Sequence, residues 1–293
     1  MRVVFVVGTT ASGKSDYALI EAQKNHGAIV NCDSIQVYQG LDIGSAKPTR
    51  EEMARVPHYL YSFAPKGSKL TAGLYSREFF NTLEEIKTKY PVVYVVGGSG
   101  FYFQAIEKGM FPAPPVSEEI KQQILNEMKT PEGAARLYEE FRTKDPKAAE
   151  RIFPNDHYRL GRALELMRTL GRTLTEIQED FEKQKKDFPY PLTKIGIRVS
   201  KPELLRRVQI RTEKMLKAGL VKEVQGLIND GYREWSALQS VGYKECLDYL
   251  EGRGAKDLKE LEALIVQNTM QLAKKQRTWF QRDKEIQWIE VVA

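Results

Sequence analysis

The residues best suited to chemistry lie in one loop near the start of the chain. The loop has the pattern G-x-x-x-x-G-K-S and consists of Gly8, Thr9, Thr10, Ala11, Ser12, Gly13, Lys14 and Ser15. An apolar run of strand length precedes it, and Asp16 to Gln23 has the pattern of a helix. In this setting backbone N–H groups of the loop and the helix N-terminus converge on one anion, and the lysine adds a positive charge. The sequence therefore predicts a site for a di- or triphosphate.

A carboxylate follows the second predicted strand. Residues 28–32 have the mainly apolar pattern of a buried strand, and Asp33 comes directly after them. Because strand, helix and strand follow in order, the first two strands are expected to lie parallel in one sheet. Ligands of such sheets bind at the carboxyl ends of the strands, so Asp33 is expected beside the phosphate loop. A simple turn aspartate is the alternative interpretation.

The third predicted strand, residues 91–96, ends in Gly97-Gly98-Ser99-Gly100. Many nucleoside triphosphatases carry an aspartate at the end of this strand, where it holds the water shell of Mg²⁺. Glycine at this position disfavours a motor protein or a GTPase. The glycines instead allow a second loop to approach the ligand, with Ser99 supplying a hydroxyl group.

Composition and charge narrow the class of protein. The 293 residues are 42% hydrophobic, enough for one large α/β domain with an insertion. No apolar run approaches the roughly 20 residues that span a bilayer, and the two cysteines fit no metal pattern, so we expect a cytoplasmic protein. The net charge of +6 comes mainly from residues 194–293, with 19 basic and 14 acidic side chains. This bias suits a nucleic acid partner, although solvated lysine-rich helices give the same count.

The chain is expected to form two domains. A proline-rich break at 112–115 precedes a stretch with helical patterns throughout, and residues 195–199 return to a strand pattern. We therefore expect an α/β core from residues 1–111 and 194–293, and a helical insertion from residues 112–193.

The last third adds basic side chains at helical spacing. Arg207 and Arg211 lie four residues apart and share one face of a predicted helix. The segment 274–282 alternates cations with aromatic residues, a composition that suits phosphate backbones and stacked bases, or a solvated helix with buried aromatics. Two functions fit these features: a small-molecule kinase, and a transferase that holds a diphosphate leaving group while another molecule, for example a nucleic acid, attacks. The missing strand-end carboxylate weakens the kinase.

The chain resembles the bacterial tRNA dimethylallyltransferases, also called tRNA isopentenyltransferases. The matching stretches run in family order across nearly the whole chain: residues 8–15, 33–38, 42–48, 97–100, 155–165, 242–245, 273–276 and 278–280. The element D-S-x-Q-V-Y at 33–38 is specific to this family. Three positions depart from the family pattern. The family usually has proline at the position of Thr9 and threonine at the position of Ser99, and it often has arginine at the position of Met270.

The resemblance implies an α/β fold with a parallel sheet like that of the P-loop NTPases, flanked by helices and interrupted by an all-helical insertion. It also implies transfer of a dimethylallyl group from dimethylallyl diphosphate to the N6 amine of adenine 37, next to the anticodon, in tRNAs that read codons beginning with U. A P-loop small-molecule kinase and an isopentenyltransferase acting on free adenine nucleotides stay as alternatives. The insertion and segment 274–282 argue against the free nucleotide.

Site roles follow from the same resemblance. Asp33 becomes the general base, with Lys14, Ser99 and Arg211 as further catalytic residues, and Thr10 lining the prenyl channel with Ser99. The loop of residues 8–15 holds the diphosphate, and Ser15 lies near Mg²⁺ that is bound through the diphosphate. The partners are dimethylallyl diphosphate and a tRNA anticodon stem-loop, and the protein is expected to be a monomer without membrane contact. Residues implied in tRNA contact are Asp33, Ser34, Ile35, Gln36, Ser99, Lys121, Tyr158, Arg159, Leu160, Gly161, Arg162, Lys274, Lys275 and Arg277.

Overall fold

The computed structural model describes residues 1–291, which contain one six-stranded sheet. Its strands are β1 (Arg2–Gly8), β2 (Ala28–Asn31), β3 (His58–Tyr59), β4 (Val92–Gly97), β5 (Leu192–Arg198) and β6 (Gln287–Glu290). Their spatial order is β3-β2-β4-β1-β5-β6, and every neighbouring pair is parallel. The prediction of a parallel α/β sheet is confirmed.

Helices connect the strands. Before β5 they are α1 (Lys14–Lys24), α2 (Arg50–Arg55), α3 (Ala72–Ile86), α4 (Gly100–Lys108), α5 (Glu118–Glu127), α6 (Pro131–Lys144), α7 (Pro146–Ala149), α8 (His157–Leu170) and α9 (Leu174–Gln184). After β5 they are α10 (Lys201–Ala218), α11 (Leu220–Asn229), a 3₁₀ turn (Ser236–Gln239), α12 (Tyr243–Leu250) and α13 (Leu258–Phe280). No helix within residues 1–291 is both long and apolar enough to cross a membrane.

The central strands are apolar along their whole length because both faces of the sheet are covered. Every residue of β4 and all but the first of β1 are buried, and most are valines, whose branched side chains suit a pleated surface. The register places Val7 of β1 beside Gly97 of β4. The loops that follow β1, β2 and β4 therefore leave the sheet at the same edge.

The chain divides into two compact units: Met1–Glu107 with Phe188–Ala293, and Lys108–Asp187. The first unit holds the sheet. The second consists of α5 to α9 around its own apolar core, in which Leu137, Phe141, Leu160 and Leu164 are almost completely buried.

A buried aspartate joins two segments of the helical unit. Asp145 accepts hydrogen bonds from the Ala148 backbone N–H (3.1 Å), the Thr175 backbone N–H (2.8 Å) and the Thr175 hydroxyl (2.6 Å). It thus caps α7 and holds the start of α9 at the same time.

Candidate active site

The phosphate loop has the conformation that its glycines allow. Gly13 has a left-handed backbone (φ 92°), and the first helical hydrogen bond of α1 follows at once, from the Tyr17 N–H to the Gly13 carbonyl (3.0 Å). A Cβ at Gly8 would lie 2.7 Å from Ser12 Oγ and 2.8 Å from the Ile197 carbonyl oxygen. Only glycine fits there, because one of these neighbours is backbone and cannot rotate away. The loop is therefore closed around the N-terminus of α1.

Lys14 lies in this loop with its ammonium group close to two other charges. Its Nζ donates a hydrogen bond to the Thr9 carbonyl (3.2 Å). Burial lowers the pKa of Lys14 from 10.5 to about 8, the negative charge of Asp33 opposes that shift, and the positive charge of Arg211 adds to it. The structure therefore brings together three side chains that are far apart in the sequence.

Asp33 forms the turn that follows β2. Its Oδ1 accepts hydrogen bonds from the backbone N–H groups of Ile35 (2.9 Å) and Gln36 (3.3 Å), and its own N–H donates to Asn31 Oδ1 (3.1 Å). The turn interpretation is thus correct for one carboxylate oxygen. Among the described residues the turn uses Oδ1 alone, so Oδ2 is not needed to form it.

Ser99 connects the loop after β4 with the loop after β2. Its Oγ accepts a hydrogen bond from the Ser34 N–H (2.9 Å) and donates one to the Ser34 hydroxyl (3.1 Å). A side chain at Gly97 would overlap the Cys32 carbonyl, so glycine is what lets the two loops touch. Ser99 therefore fixes the position of the residue that adjoins Asp33.

Two arginines on α10 face the same region. The Nη2 of Arg211 donates to the Ser45 carbonyl (3.3 Å), and burial lowers the pKa of Arg211 against the opposing charge of Asp33. The Nη1 of Arg207 donates to the Ser12 carbonyl (3.2 Å). Arg207 supports the phosphate loop but was not among the predicted site residues, although its spacing from Arg211 is the signal that identifies it.

The loop that follows Asp33 is held by a glutamate that the sequence did not single out. Glu223 accepts hydrogen bonds from the backbone N–H groups of residues 42–44 (2.8 to 3.2 Å) and from the Tyr243 hydroxyl (2.7 Å). Within the loop, Gln36 Nε2 donates to the carbonyl groups of Ser45 (2.9 Å) and Ala46 (3.2 Å). The Gln36 amide therefore has a structural role. A lone glutamate on a helix carries no sequence signal for such a function.

The basic segment of α13 presents its cations outward. Lys274, Lys275 and Arg277 are exposed, whereas Phe280 is buried and packs edge-on against Phe103, with ring centroids 6.0 Å apart. Trp279 is at the border of exposure. The solvated cations and the one buried aromatic residue are what a solvated helix with buried aromatics predicts, and contact of this segment with nucleic acid stays a prediction.

A cleft of about 230 Å³ opens beside the phosphate loop. Gly8 and Thr9 line it together with the end of β5, α10 and α13, and so does Met270, the position at which the resembling family often has arginine. Four cations stand around it: Arg198, Lys201, Lys274 and Arg277.

The predicted tRNA contacts of the helical unit lie at the start of α8. Tyr158 is 80% exposed, Arg159 pairs with Asp156 (2.9 Å), and Arg162 pairs with Glu165. Lys121 pairs with Glu118 on α5. Leu160 and Gly161 are different, because both are buried, and the Leu160 side chain lies in the helical core. The Leu160 side chain is therefore not at the surface of the helical unit, and its contact with tRNA stays a prediction.

The one carboxylate cluster with metal-like spacing in residues 1–291 is already occupied by the side chain of a lysine. Glu107, Asp283 and Glu285 surround the ammonium group of Lys194 at 2.6, 2.8 and 2.7 Å. Near the phosphate loop the candidate donor is the exposed hydroxyl of Ser15 in the first turn of α1. Beside it, Ser12 Oγ is buried without a hydrogen-bond partner in the described part of the chain.

Comparison with known proteins gives the same family throughout. A family model described as IPP transferase matches residues 36–283. A tRNA dimethylallyltransferase of Bdellovibrio bacteriovorus is 54% identical over 289 residues, covering 99% of this chain and 93% of the relative. One of Geobacter sulfurreducens is 40% identical over 293 residues, covering 100% of this chain and 93% of the relative.

Solved structures agree. The tRNA isopentenylpyrophosphate transferase of Bacillus halodurans matches with a TM-score of 0.71 and 30% identity, covering 99% of this chain and 89% of that one. A eukaryotic dimethylallyltransferase described as acting on tRNA has the same fold, with a TM-score of 0.83, 24% identity, and coverage of 98% and 73%. The predicted family is thereby confirmed: the chain belongs to the IPP transferase family of prenyltransferase enzymes, together with the tRNA dimethylallyltransferases.

Proposed function

We propose that this enzyme transfers the dimethylallyl group of dimethylallyl diphosphate to the N6 amine of adenine 37 of tRNA, in tRNAs that read codons beginning with U. The observation that carries the proposal is the charge balance beside the phosphate loop. Lys14 and Arg211 face the carboxylate of Asp33, and burial disfavours the charged form of both cations. A bound diphosphate supplies the missing negative charge.

The leaving-group side fits departure of a diphosphate. The adenine amine is a weak nucleophile, so the allylic carbon develops positive charge as its C–O bond breaks and the electron pair leaves with the diphosphate. The loop amides, Lys14 and Arg211 stabilise that developing anion. Arg207 keeps the loop in place through the Ser12 carbonyl.

The acceptor side fits removal of one proton. As the amine nitrogen bonds to the allylic carbon it must lose a proton, and Asp33 Oδ2 accepts it while Oδ1 stays in the turn. The hydrogen bonds between Ser99 and Ser34 hold this turn against the loop after β4. Proton acceptor and leaving group thus stand on neighbouring loops at one edge of the sheet.

Magnesium fits as a partner of the diphosphate. The Ser15 hydroxyl, at the N-terminus of α1, would hold the ion together with oxygens of the diphosphate. Bound Mg²⁺ would add positive charge to the departing diphosphate. Gly97 leaves no strand-end carboxylate, so the substrate rather than the protein would supply most of the ligands.

The tRNA side rests on exposed cations and one exposed aromatic residue. Lys274, Lys275 and Arg277 project from α13, and Tyr158 projects from α8 beside Arg159. Such groups suit phosphate contacts and base stacking. The target adenine must leave its stack, which costs a few kcal/mol and least for an unpaired loop base. Free adenine nucleotides would not need these surfaces.

The decisive assay supplies labelled dimethylallyl diphosphate, Mg²⁺ and unmodified tRNA. We expect label on the tRNA at adenine 37 with release of diphosphate. Label from the γ-phosphate of ATP on a small acceptor would support a kinase instead, and prenylation of AMP in preference to tRNA would support a free-nucleotide enzyme.

Asp33→Asn provides the matched test of the base. Asparagine retains an Oδ1 that accepts from the Ile35 and Gln36 amides, but it does not accept the proton. We expect at least a 100-fold loss of turnover (about two orders of magnitude for a general base) with tRNA affinity within a few-fold of wild type. The exposed Asp187→Asn serves as the control. If tRNA binding is lost with turnover, Asp33 is structural and the assignment is wrong.

A further inference from the structure

We propose that Gln276 is a positioning residue that sets the spacing between the phosphate loop and the loop carrying Ser99. In the reaction proposed above, on which this inference rests, that spacing is the distance from the leaving diphosphate to the accepting amine. Gln276 lies on α13, far in sequence from both loops, and has no direct part in the bond changes.

One side-chain amide joins the two loops. The Thr10 backbone N–H donates to Gln276 Oε1 (2.8 Å), and Gln276 Nε2 donates to the Gly98 carbonyl (3.1 Å). Glutamine offers one acceptor and two donors on a planar group, which matches a backbone N–H on one side and a carbonyl on the other. No charge is added near the diphosphate.

Glycines in the second loop make this contact possible. A side chain at Gly98 would overlap Gln276 Nε2, and one at Gly100 would overlap the ring of Trp279, one helical turn along α13. Two neighbouring turns of the helix therefore lie directly against the backbone of the Gly97–Gly100 loop. The bridge is part of a packed interface and not an isolated hydrogen bond.

The bridge continues to the proposed base. Gly98 precedes Ser99, whose hydroxyl holds Ser34, and Ser34 adjoins Asp33. Gln276 thus completes a chain of protein contacts from the phosphate loop to the Asp33 turn, and this chain does not include the substrates. The bridge also occupies the N–H of Thr10, so that amide is not among the loop's donors to phosphate.

Spacing of this kind controls the chemical step more than it controls binding. In an alkyl transfer the attacking nitrogen, the carbon and the leaving oxygen must be aligned, and a misplacement of about 1 Å costs on the order of 100-fold in rate. The loop amides and Lys14 still bind the diphosphate when the bridge is broken. A carbon that is activated but poorly aligned with the amine can instead react with water, which forms the C–O bond, loses a proton and gives the alcohol plus diphosphate.

The test compares Gln276→Glu and Gln276→Ala with Gln267→Glu and Gln267→Ala, at an exposed position of the same helix. Glutamate matches glutamine in size and keeps an acceptor for the Thr10 N–H, but it places a carboxylate oxygen against the Gly98 carbonyl. If the alanine variant does not fold, the glutamate variant carries the test. Gly98→Ala perturbs the same bridge from the other side.

For both Gln276 variants we expect single-turnover prenyl transfer about 10- to 100-fold slower than wild type. KM for dimethylallyl diphosphate should stay within about threefold in Gln276→Ala, whereas the added negative charge of Gln276→Glu repels the diphosphate and also raises KM. We also expect more than one diphosphate released per prenyl group transferred. The inference is overturned if the rate falls only as far as a lower Tm, and thus a smaller folded fraction, explains. It is also overturned if the rate is unchanged and one diphosphate is released per prenyl group transferred. If wild type and the Gln267 variants do not prenylate tRNA, the proposed function itself has failed, whereas transfer by all variants alike refutes only the role of Gln276.

Discussion

Lys14 gives the sharpest prediction, because its ionisation lies close to working pH. Burial brings its pKa down from 10.5 to about 8 in the ligand-free enzyme. A group with pKa 8 is about nine-tenths charged at pH 7 and about one-tenth charged at pH 9, whereas a group with pKa 10.5 stays almost fully charged. If only the charged lysine stabilises the leaving diphosphate, kcat/KM for dimethylallyl diphosphate should fall about tenfold between pH 7 and pH 9.

Bound diphosphate should move this titration. Its negative charge favours the ammonium form and raises the pKa of Lys14, so the fall in kcat should begin at higher pH than the fall in kcat/KM. The pKa values of Tyr61, Tyr102 and Cys32, which interact with the charge of Asp33, are all raised by burial well above this range. Their titration therefore does not account for a fall in kcat/KM between pH 7 and pH 9.

The assay measures kcat/KM at saturating tRNA from pH 7 to 9.5, with Lys14→Arg as the control. Arginine does not titrate here, so the variant should be slower but flat over the range. A wild-type profile that stays flat to pH 9.5 would refute the role of burial at Lys14. If kcat/KM of Lys14→Arg falls by the same factor over this pH range, the group that titrates is not Lys14.

Two further predictions concern groups that support the site and the helical unit. Glu223→Gln should lower the free energy of unfolding by about 2 to 3 kcal/mol, because it weakens four hydrogen bonds to a charged group. Tyr243→Phe removes one of these hydrogen bonds and should lower it by about 1 kcal/mol. Equal losses for the two variants in urea titrations would contradict this. Burial opposes ionisation of Asp145, but hydrogen bonds from Thr175 and from the backbone outweigh it and lower the pKa of this carboxyl group. The stability that the Asp145 carboxylate contributes is therefore present above its ordinary pKa of 3.8 and is lost as pH falls through the lower pKa of the folded protein. Circular dichroism between pH 7 and 2 should show that stability depends less steeply on pH in Asp145→Asn than in wild type. The same dependence in both proteins would refute the assignment.

Local patterns carried most of what the sequence could predict. The phosphate loop, the parallel strands and α10 follow from residues that are close in the chain, where glycine, lysine and apolar periodicity have direct meanings. The edge strands β3 and β6 were not predicted, since they have two and four residues and none of these residues is buried. An edge strand needs only backbone pairing on one side, which leaves little trace in side-chain type.

Contacts between residues that are far apart in the sequence could not be predicted from those local patterns. Glu223 meets the loop at 42–44 about 180 residues away in sequence, and Gln276 meets Thr10 across 266 residues. Each uses a side chain of ordinary type to satisfy a backbone group, and any exposed glutamate or glutamine looks the same in sequence. Arg211 was placed in the site by family resemblance, and Arg207 was missed although it touches the phosphate loop itself.

Gly97 shows why a loop of the nucleotide-binding type serves a different reaction here. An aspartate at this position would hold the water shell of Mg²⁺ as in many nucleoside triphosphatases. Yet any side chain at residue 97 would overlap the backbone of Cys32, because the loops after β2 and β4 lie in direct contact. That same contact lets Ser99 hold Ser34 and thereby fixes Asp33 on the neighbouring strand. The reaction proposed above therefore relies on the carboxylate of Asp33, on the acceptor's side, and not on a strand-end carboxylate beside the metal.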